Sequence, residues 1–342
     1  MKEIKELVRM SNEIGKFKDL VQAGGGNTSV KTPDGKMTVK ASGLTFSEMT
    51  TQTGFVILDY DKILNFFQTH IESDLEENEK LYNIALKESM INTNFPSPSM
   101  ESGMHTFLDR VVVHTHPIMA NIINCMTGGE KIAQELFSNL RFLWLEYKNP
   151  GYNLAKEIKS QVYSYETKNG FKPELIFLKN HGIIVSDTSS LKCVNLTTGV
   201  NKKIYEYLKN NFGIENFVDP AIRFENGLHF NDNAFVKDFI ENLDENKHLL
   251  SSFLIPDDAV YCSQFSIKEN LNLDMDRINF VRNQGLVYPW DEKKSAKINE
   301  MVTAKLYIIS VLQKIGKIEF LKDVDVRYIL NMESEKYRQK LN

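Results

Sequence analysis

Two histidines separated by one residue follow a run of three valines, in the segment Val111-Val112-Val113-His114-Thr115-His116-Pro117. Consecutive β-branched residues favour a buried β-strand. Residues i and i+2 of a strand point to the same face, so the pattern predicts that His114 and His116 project side by side at the strand end. The pair therefore requires a sheet in which strand ends face a common site.

A third histidine, His181, follows a second apolar run, Leu175 to Leu178. Three neutral imidazoles with one open position fit a Lewis-acid or hydrolytic zinc site better than a closed structural site. We therefore predict His114, His116 and His181 as ligands of Zn²⁺, with another divalent metal as the alternative. The competing interpretation is that each histidine is an ordinary hydrogen-bonded core or surface residue.

One carboxylate is predicted close to these histidines. The connector Pro96-Ser97-Pro98-Ser99 disfavours helix, and Met100 to Asp109 reads as a short helix that leads into the histidine strand. Glu101 lies near the start of this helix, so we expect it close to the metal. His105, four residues later on the same helix face, is expected to be a structural partner.

A glycine loop, Gly24-Gly25-Gly26-Asn27, precedes a predicted hairpin. Consecutive glycines allow positive φ and a close approach of the backbone to a ligand. The loop matches neither the dinucleotide motif nor the P-loop motif. The hairpin is predicted from Thr28 to Lys40 around the turn Pro33-Asp34-Gly35, which carries the Asp-Gly signal, and Ser42-Gly43 ends its second strand.

Composition excludes several classes of function. With 42% hydrophobic and 25% charged residues, the 342-residue chain is typical of a soluble globular protein. A net charge of −4 leaves no excess of basic residues for nucleic-acid binding. The three cysteines, Cys125, Cys193 and Cys262, form no disulfide framework. Without a leader or a long apolar run, we expect a cytoplasmic protein that binds neither nucleic acid nor membrane.

Helix and strand patterns interleave over the first two-thirds of the chain, which indicates an α/β fold. The pattern changes to polar, Asn-rich sequence near residue 215. We predict a metal-binding domain at 1–215 and a smaller, mainly helical accessory region of unknown role at 216–342. The helix candidates there are Asn233 to Leu243, Lys293 to Leu312 and Asp325 to Leu341, with strand-like sequence at Ala259 to Cys262.

Other features are interpreted structurally. The acidic stretch Glu72 to Lys80 is expected to be a solvated helix face or loop. His229 and His248 lack the spacing of metal ligands and are expected to be structural or surface residues. The sequence beyond residue 215 contains no motif that we can connect to chemistry.

Several short motifs together resemble the class II aldolase and adducin head family in their order and spacing, over about residues 1–210. They are the glycine loop, Ser42-Gly43, Pro98-Ser99-Met100-Glu101, His114-Thr115-His116 and Asn180-His181-Gly182. The resemblance is strongest to the aldolase portion of the bifunctional rhamnulose-phosphate aldolase and dehydrogenase group, and Glu335-Lys336-Tyr337-Arg338 adds to it. We expect no dehydrogenase domain, because the chain ends where that domain would begin.

The resemblance implies an α/β/α sandwich with a central, mostly antiparallel sheet. It implies that His114, His116 and His181 hold zinc, and that Glu101 binds the resting metal and acts as acid or base. The implied phosphate-binding residues are Gly26, Asn27, Ser42, Gly43 and Ser99. The residues themselves agree, since glycine frees backbone N–H groups for an anion nest and the hydroxyls of Ser29, Ser42 and Ser99 could add donors.

The resemblance also implies an activity: a zinc-dependent aldolase that cleaves or forms a carbon–carbon bond in a phosphorylated ketose through an enediolate. The expected partners are a small phosphorylated sugar or aldehyde and further copies of the chain in a homotetramer. The alternatives are a sugar-phosphate 4-epimerase or dehydratase on the same site, or a non-catalytic adducin-like binding module. Fuculose-phosphate aldolases place a proton-donating tyrosine after the second histidine; Tyr147 and Tyr152 are the nearest here, and packing is their expected role.

Overall fold

The computed structural model describes residues 1–91, 96–219 and 221–332. Its main sheet has seven strands in the order β3-β2-β1-β4-β7-β6-β5. Every neighbouring pair is antiparallel except β5 and β6, which are parallel. The strands are β1 (Asn27–Lys31), β2 (Lys36–Lys40), β3 (Phe55–Asp59), β4 (Val111–Thr115), β5 (Phe142–Leu145), β6 (Leu175–Leu178) and β7 (Gly182–Asp187).

Helices cover both faces of this sheet, because its central strands are apolar on both sides. In β4, Val111 and Val113 face one hydrophobic cluster while Val112 faces the other, as the two-residue period of a strand requires. Helices α1 (Lys2–Ile14), α4 (Ile118–Asn124), α5 (Gly129–Phe137) and α7 (Ser190–Phe212) pack on the first side; α2 (Tyr60–Thr69), α3 (Leu75–Glu88) and α6 (Tyr152–Asn169) pack on the second. The predicted α/β/α sandwich with a mostly antiparallel sheet is confirmed.

Local predictions in this part agree with the structure in most places. The hairpin forms as expected, with Ser29 opposite Val39. The short helix predicted over Met100 to Asp109 is a 3₁₀ helix at Ser102–Phe107. The acidic stretch Glu72 to Lys80 is only partly solvated, because Asn78 and Glu79 are buried on α3.

The C-terminal region contains both helices and a second sheet. That sheet has five strands in the order β10-β11-β12-β9-β8. Its strands are β8 (Arg223–Glu225), β9 (Leu228–Asn231), β10 (Phe265–Lys268), β11 (Ile278–Val281) and β12 (Gly285–Tyr288). The helices are α8 (Ala234–Glu241), α9 (Leu243–Leu250), α10 (Pro256–Cys262), α11 (Glu292–Ile315) and α12 (Asp323–Asn331). The sequence predicted α8, α11 and the start of α12, but it predicted neither α9 and α10 nor the sheet.

The strand predicted at Ala259 to Cys262 is wrong, since these residues belong to α10. Every residue of α10 is buried, so its apolar run has no polar face to reveal the helical period. The predicted helix from Asp325 begins as expected within α12. Its continuation beyond residue 332, including Glu335-Lys336-Tyr337-Arg338, lies outside the described residues.

One hydrophobic cluster extends across the boundary predicted near residue 215. It includes core residues of α4 and α7 together with core residues of α8, α10 and α11. Backbone hydrogen bonds join the two parts, from Glu319 N to Cys125 O (2.8 Å) and from Thr127 N to Lys317 O (3.0 Å). The division into two domains stays a prediction, and α11 of the C-terminal region packs on α4, the helix that follows the histidine strand.

Candidate metal centre

His114 and His116 lie together at the end of β4. Both are buried, and their ring centroids are 4.9 Å apart. The two Nε2 atoms are separated by 3.1 Å. The strand geometry expected from the His-x-His pattern thus brings both imidazoles to one point.

His181 completes the group from the turn between β6 and β7. The preceding residue, Asn180, has a left-handed backbone (φ 51°), a conformation that asparagine tolerates better than most residues. One ligand nitrogen from each of His114, His116 and His181 lies within 4.8 Å of the other two. Nitrogens bound to one zinc ion lie at most about 4.2 Å apart, given bonds of about 2.1 Å, so a small inward movement would suffice.

Glu101 faces the triad from the start of the 3₁₀ helix. Its Oε1 lies 3.0 Å from His181 Nε2, and its Oε2 lies 3.5 Å from His114 Nε2. Asn27 donates from Nδ2 to Oε2 of Glu101 (3.2 Å). The sequence placed Glu101 near the histidines, and the structure brings all four side chains together.

The hydrogen-bond partners of the histidines test whether a cation fits. His114 Nδ1 lies 2.9 Å from the carbonyl oxygen of Ile183, and His116 Nδ1 lies 2.8 Å from Oδ2 of Asp257. Both partners accept, so both Nδ1 atoms carry hydrogen, and in the neutral form of each imidazole the lone pair is on Nε2. Two lone pairs 3.1 Å apart repel unless a proton or a cation lies between them. This donor set fits a divalent metal.

The electrostatics of the site follow from burial and mutual contact. Burial alone would raise the pKa of Glu101, but His114 and His181 hold it well below its usual value. Burial would lower the pKa of His114, but Glu101 outweighs that effect and raises it. For His181 burial prevails, and its pKa falls to about 4. Glu101 is therefore an anion, and the imidazole of His181 is neutral at neutral pH.

Four of the six predicted anion-binding residues line a cleft, and the other two do not. A cleft with about 510 Å³ of empty space, partly open to solvent, is lined by Gly26, Ser42, Gly43 and Ser99 together with Glu101, His116 and His181. Asn27 lies beneath it and contacts Ser99 and Glu101. Ser29 is turned away, since its hydroxyl pairs with Nδ1 of buried His105 at 2.8 Å. His105 thus has the structural contact expected of it.

Two residues at the cleft were missed in the sequence. Lys40, at the end of β2, lines the cleft, and its buried ammonium donates to the carbonyl oxygens of Ala41 and Leu44. Its position two residues before Ser42 could have identified it as a residue of the cleft from the sequence. Asp257 also lines the cleft, but it lies 141 residues from His116, and no local pattern connects them.

The two tyrosines differ in their surroundings. Tyr152 stacks on Phe67 with ring centroids 5.7 Å apart, as expected of a packing residue. Tyr147 donates to Oδ1 of Asn149 (3.1 Å). Burial raises its pKa, and the charges of Asp325 and Glu101 add to the effect. The hydroxyl of Tyr147 is thus paired with Asn149, while Tyr152 belongs to the core.

Comparison with known proteins identifies the family. The family model for the class II aldolase and adducin N-terminal domain matches residues 5–207. The chain belongs to the class II aldolase and adducin family. The N-terminal class II aldolase domain of a conserved protein from Thermoplasma acidophilum is 28% identical, with a TM-score of 0.50; the match covers 60% of this chain and 93% of that one.

This class II aldolase family member is also similar to a longer protein and to a more distant one. The uncharacterized oxidoreductase YuxG of Bacillus subtilis (strain 168) is 32% identical over 218 residues, which cover 61% of this chain but only 30% of that protein. The L-fuculose-1-phosphate aldolase of Thermus thermophilus is 15% identical with a TM-score of 0.41, covering 64% of this chain and all (100%) of that one. That TM-score supports no inference about activity.

A class II aldolase family member with a buried histidine triad has a site suited to a divalent metal. Across the described ranges, no helix combines the length and apolar character needed to cross a membrane.

Proposed function

We propose that this class II aldolase family member is a zinc-dependent lyase that cleaves or forms a carbon–carbon bond in a phosphorylated ketose. The observation that carries the proposal is the convergence of three buried imidazoles and Glu101 next to a cleft that Ser42, Gly43 and Ser99 also line. A bound divalent cation would supply Lewis-acid stabilisation of the negative charge that develops on oxygen when the bond breaks. His114, His116 and His181 would hold it.

Glu101 is proposed to carry the proton. It is anionic and buried, and its carboxylate contacts Asn27, His114 and His181. A carboxylate in such a position can take a proton from a substrate hydroxyl or return one to carbon in an enediolate. Asn27 would orient Glu101 through its amide hydrogen bond.

Ser42, Gly43 and Ser99, which line the cleft, are proposed to bind the phosphate. Ser42 N donates to Ser97 O (3.1 Å), which ties the end of β2 to the segment that contains Ser99. Gly26, Ser42, Gly43 and Ser99 line the cleft and would surround the anion, with Lys40 as the nearby positive charge. Asn27 is buried, and its amide would orient the hydroxyl of Ser99. Ser29 is not included in this proposed phosphate site, because its hydroxyl is committed to His105.

A substrate panel tests the activity. Metal-loaded protein would be incubated with ketose 1-phosphates for cleavage, and with dihydroxyacetone phosphate and aldehydes for condensation. We expect release of two carbonyl fragments by the wild type and none by the His114→Ala/His116→Ala variant. An epimer or a dehydrated product would instead assign the 4-epimerase or dehydratase reaction. A protein without bound metal and without turnover would favour the adducin-like binding module.

A cytoplasmic homotetramer remains our prediction from the family resemblance and the cysteine pattern. Light scattering on the purified full chain measures the mass directly, and a value near four times 39.4 kDa is expected.

A further inference from the structure

Asp257 contacts the metal centre from the C-terminal region. Its side chain is only 3% exposed, and its Oδ2 accepts from Nδ1 of His116 at 2.8 Å. It is the second residue of α10, directly after Pro256. No sequence motif marks this contact, which joins the predicted accessory region to one of the three histidines.

The contact determines what His116 offers to a metal. A carboxylate accepts but does not donate, so the hydrogen of the imidazole is held on Nδ1 and the lone pair stays on Nε2. It also fixes the rotation of the ring, which strand geometry alone leaves free. At His114 a backbone carbonyl, that of Ile183, has the same role at 2.9 Å.

The surrounding contacts hold Asp257 in place. The carboxylate of Asp258 accepts from the N–H of Leu254 (2.9 Å), which fixes the start of α10. Asn180, the neighbour of His181, donates from Nδ2 to the carbonyl oxygens of Leu254 (2.9 Å) and Glu319 (2.7 Å). The segment that carries Asp257 is therefore attached to the same turn that carries the third histidine.

The glycine loop packs against this carboxylate. A Cβ atom on Gly25 would lie 2.4 Å from Asp257 Oδ2 and 3.1 Å from His116 Nδ1. The backbone of Gly25 does not have a positive φ. The close contact with Asp257, and not backbone strain, therefore excludes a side chain there. The glycine loop, the Asp257 carboxylate and the His116 imidazole therefore pack directly against one another.

We propose that Asp257 is a positioning residue of the metal centre and that the C-terminal region is thereby a part of that centre. The proposal rests on the proposed function only in that His114, His116 and His181 bind a divalent metal. It assigns to residues 216–342 a role that neither the family match, which ends at residue 207, nor the sequence motifs provide.

The test measures metal affinity rather than turnover. Zinc affinity of the full-length protein would be determined by competition with a chromophoric chelator, and the visible spectrum of the Co²⁺ form would report ligand geometry. Loss of an outer-shell partner weakens metal binding by about 10- to 100-fold, and we expect this for Asp257→Ala. Asp257→Asn should recover part of the loss, because its amide oxygen can accept from Nδ1.

Two further variants make the result specific. Asp258→Asn changes the adjacent carboxylate, which is also buried but contacts Leu254 N instead of a histidine. The amide oxygen introduced can still accept from Leu254 N, so the start of α10 stays fixed and zinc affinity and the Co²⁺ spectrum should be unchanged. Loss of the charge that faces Lys305 should lower stability. Gly25→Ala should weaken zinc binding as Asp257→Ala does, since it displaces the carboxylate without removing it. Thermal melts of the apo forms identify variants that are folded.

The outcomes separate the two proposals. Tight zinc binding by the wild type with equal affinity in folded Asp257→Ala would overturn the positioning role and leave the metal site intact. An equal loss in Asp258→Asn would also overturn it, because the effect would then be general destabilisation. Failure of the wild type to bind zinc, Co²⁺ or another divalent metal would overturn both proposals.

Discussion

Glu101 and Glu79 are both buried carboxyl groups, yet their surroundings shift their pKa values in opposite directions. Burial raises both. At Glu101 the adjacent imidazoles outweigh it and the pKa falls well below its usual value. At Glu79 the hydrogen bonds from Tyr152 N–H (2.8 Å) and Asn83 (3.1 Å) compensate only in part, and the pKa rises to about 7.

Replacement of Glu79 by Gln should change how stability depends on pH. A carboxyl group whose pKa is raised from 4.5 to about 7 on folding binds its proton more tightly in the native state. Its stabilising effect is complete below pH 4.5 and is lost as the pH rises through 7. Between pH 5 and pH 8, the free energy of unfolding of Glu79→Gln should therefore rise relative to that of the wild type by about 2 kcal/mol.

Urea unfolding at the two pH values measures this difference. Glu76→Gln, an exposed change on the same helix, is the matched control and should show no such trend. A difference for Glu79→Gln that stays constant from pH 5 to pH 8 would contradict the shifted pKa.

At the scale of elements, the site depends on where β1 and β4 begin and end. Asn27 pairs with His114 across these two strands, and the glycine loop enters β1 at that point. Gly26 has φ +64°, and a Cβ atom there would lie 2.5 Å from the carbonyl oxygen of His114. The loop is thus shaped by the histidine strand as well as by any anion it binds.

Gly26→Ala should destabilise the protein more than Gly170→Ala does. Both glycines have a positive φ, but only Gly26 has close neighbours where a Cβ atom would be placed. Gly170, which ends α6 with φ +81°, has no atom within 4 Å of the place that a Cβ would take. Gly170→Ala should cost about 1 kcal/mol for the positive φ alone. Gly26→Ala should cost about 2 to 4 kcal/mol, because overpacking against backbone adds to that penalty.

Denaturant unfolding and zinc affinity, measured on both variants, distinguish the effects. Zinc affinity should fall in Gly26→Ala and stay at the wild-type value in Gly170→Ala. Equal stability losses in the two variants would show that overlap between a Cβ atom at position 26 and the His114 carbonyl oxygen adds nothing to the loss of stability.

The sequence correctly predicted those features of the fold and the site that depend on residues close together in the chain. The Asp-Gly turn, the valine run and the His-x-His spacing each describe neighbours along the chain, and the structure forms them as predicted. It was uninformative for α10, whose burial on all sides hides the helical period, and for the second sheet, whose strands have only three or four residues. Asp257 could not be predicted, because only tertiary packing brings it to His116.

At the scale of the whole molecule, the two parts share one hydrophobic cluster. Asp257, the contacts of Asn180 and the pair from Ala23 N to Glu300 Oε2 (2.7 Å) all cross between them. A metal bound at the triad would therefore stabilise residues on both sides of the predicted boundary.

The two tryptophans allow this coupling to be tested. Trp144 is in β5 of the main sheet and Trp290 is in the C-terminal region, so Trp290→Phe and Trp144→Phe each leave one reporter. We expect coincident denaturant midpoints for the two variants. Zinc at 100 times its dissociation constant should add about 2.7 kcal/mol to the free energy of unfolding and move both midpoints together. Separate midpoints, or a shift of only one, would contradict the shared core.

The most direct test measures metal content and turnover on the same dialysed samples. The wild type should hold one divalent ion per chain and be active with the substrate found in the panel. Glu101→Gln should keep the ion through the three imidazoles but lose at least about 100-fold in turnover, while His116→Ala should lose both. A wild type that turns over substrate without a stoichiometric divalent metal would contradict the proposed metal-dependent mechanism.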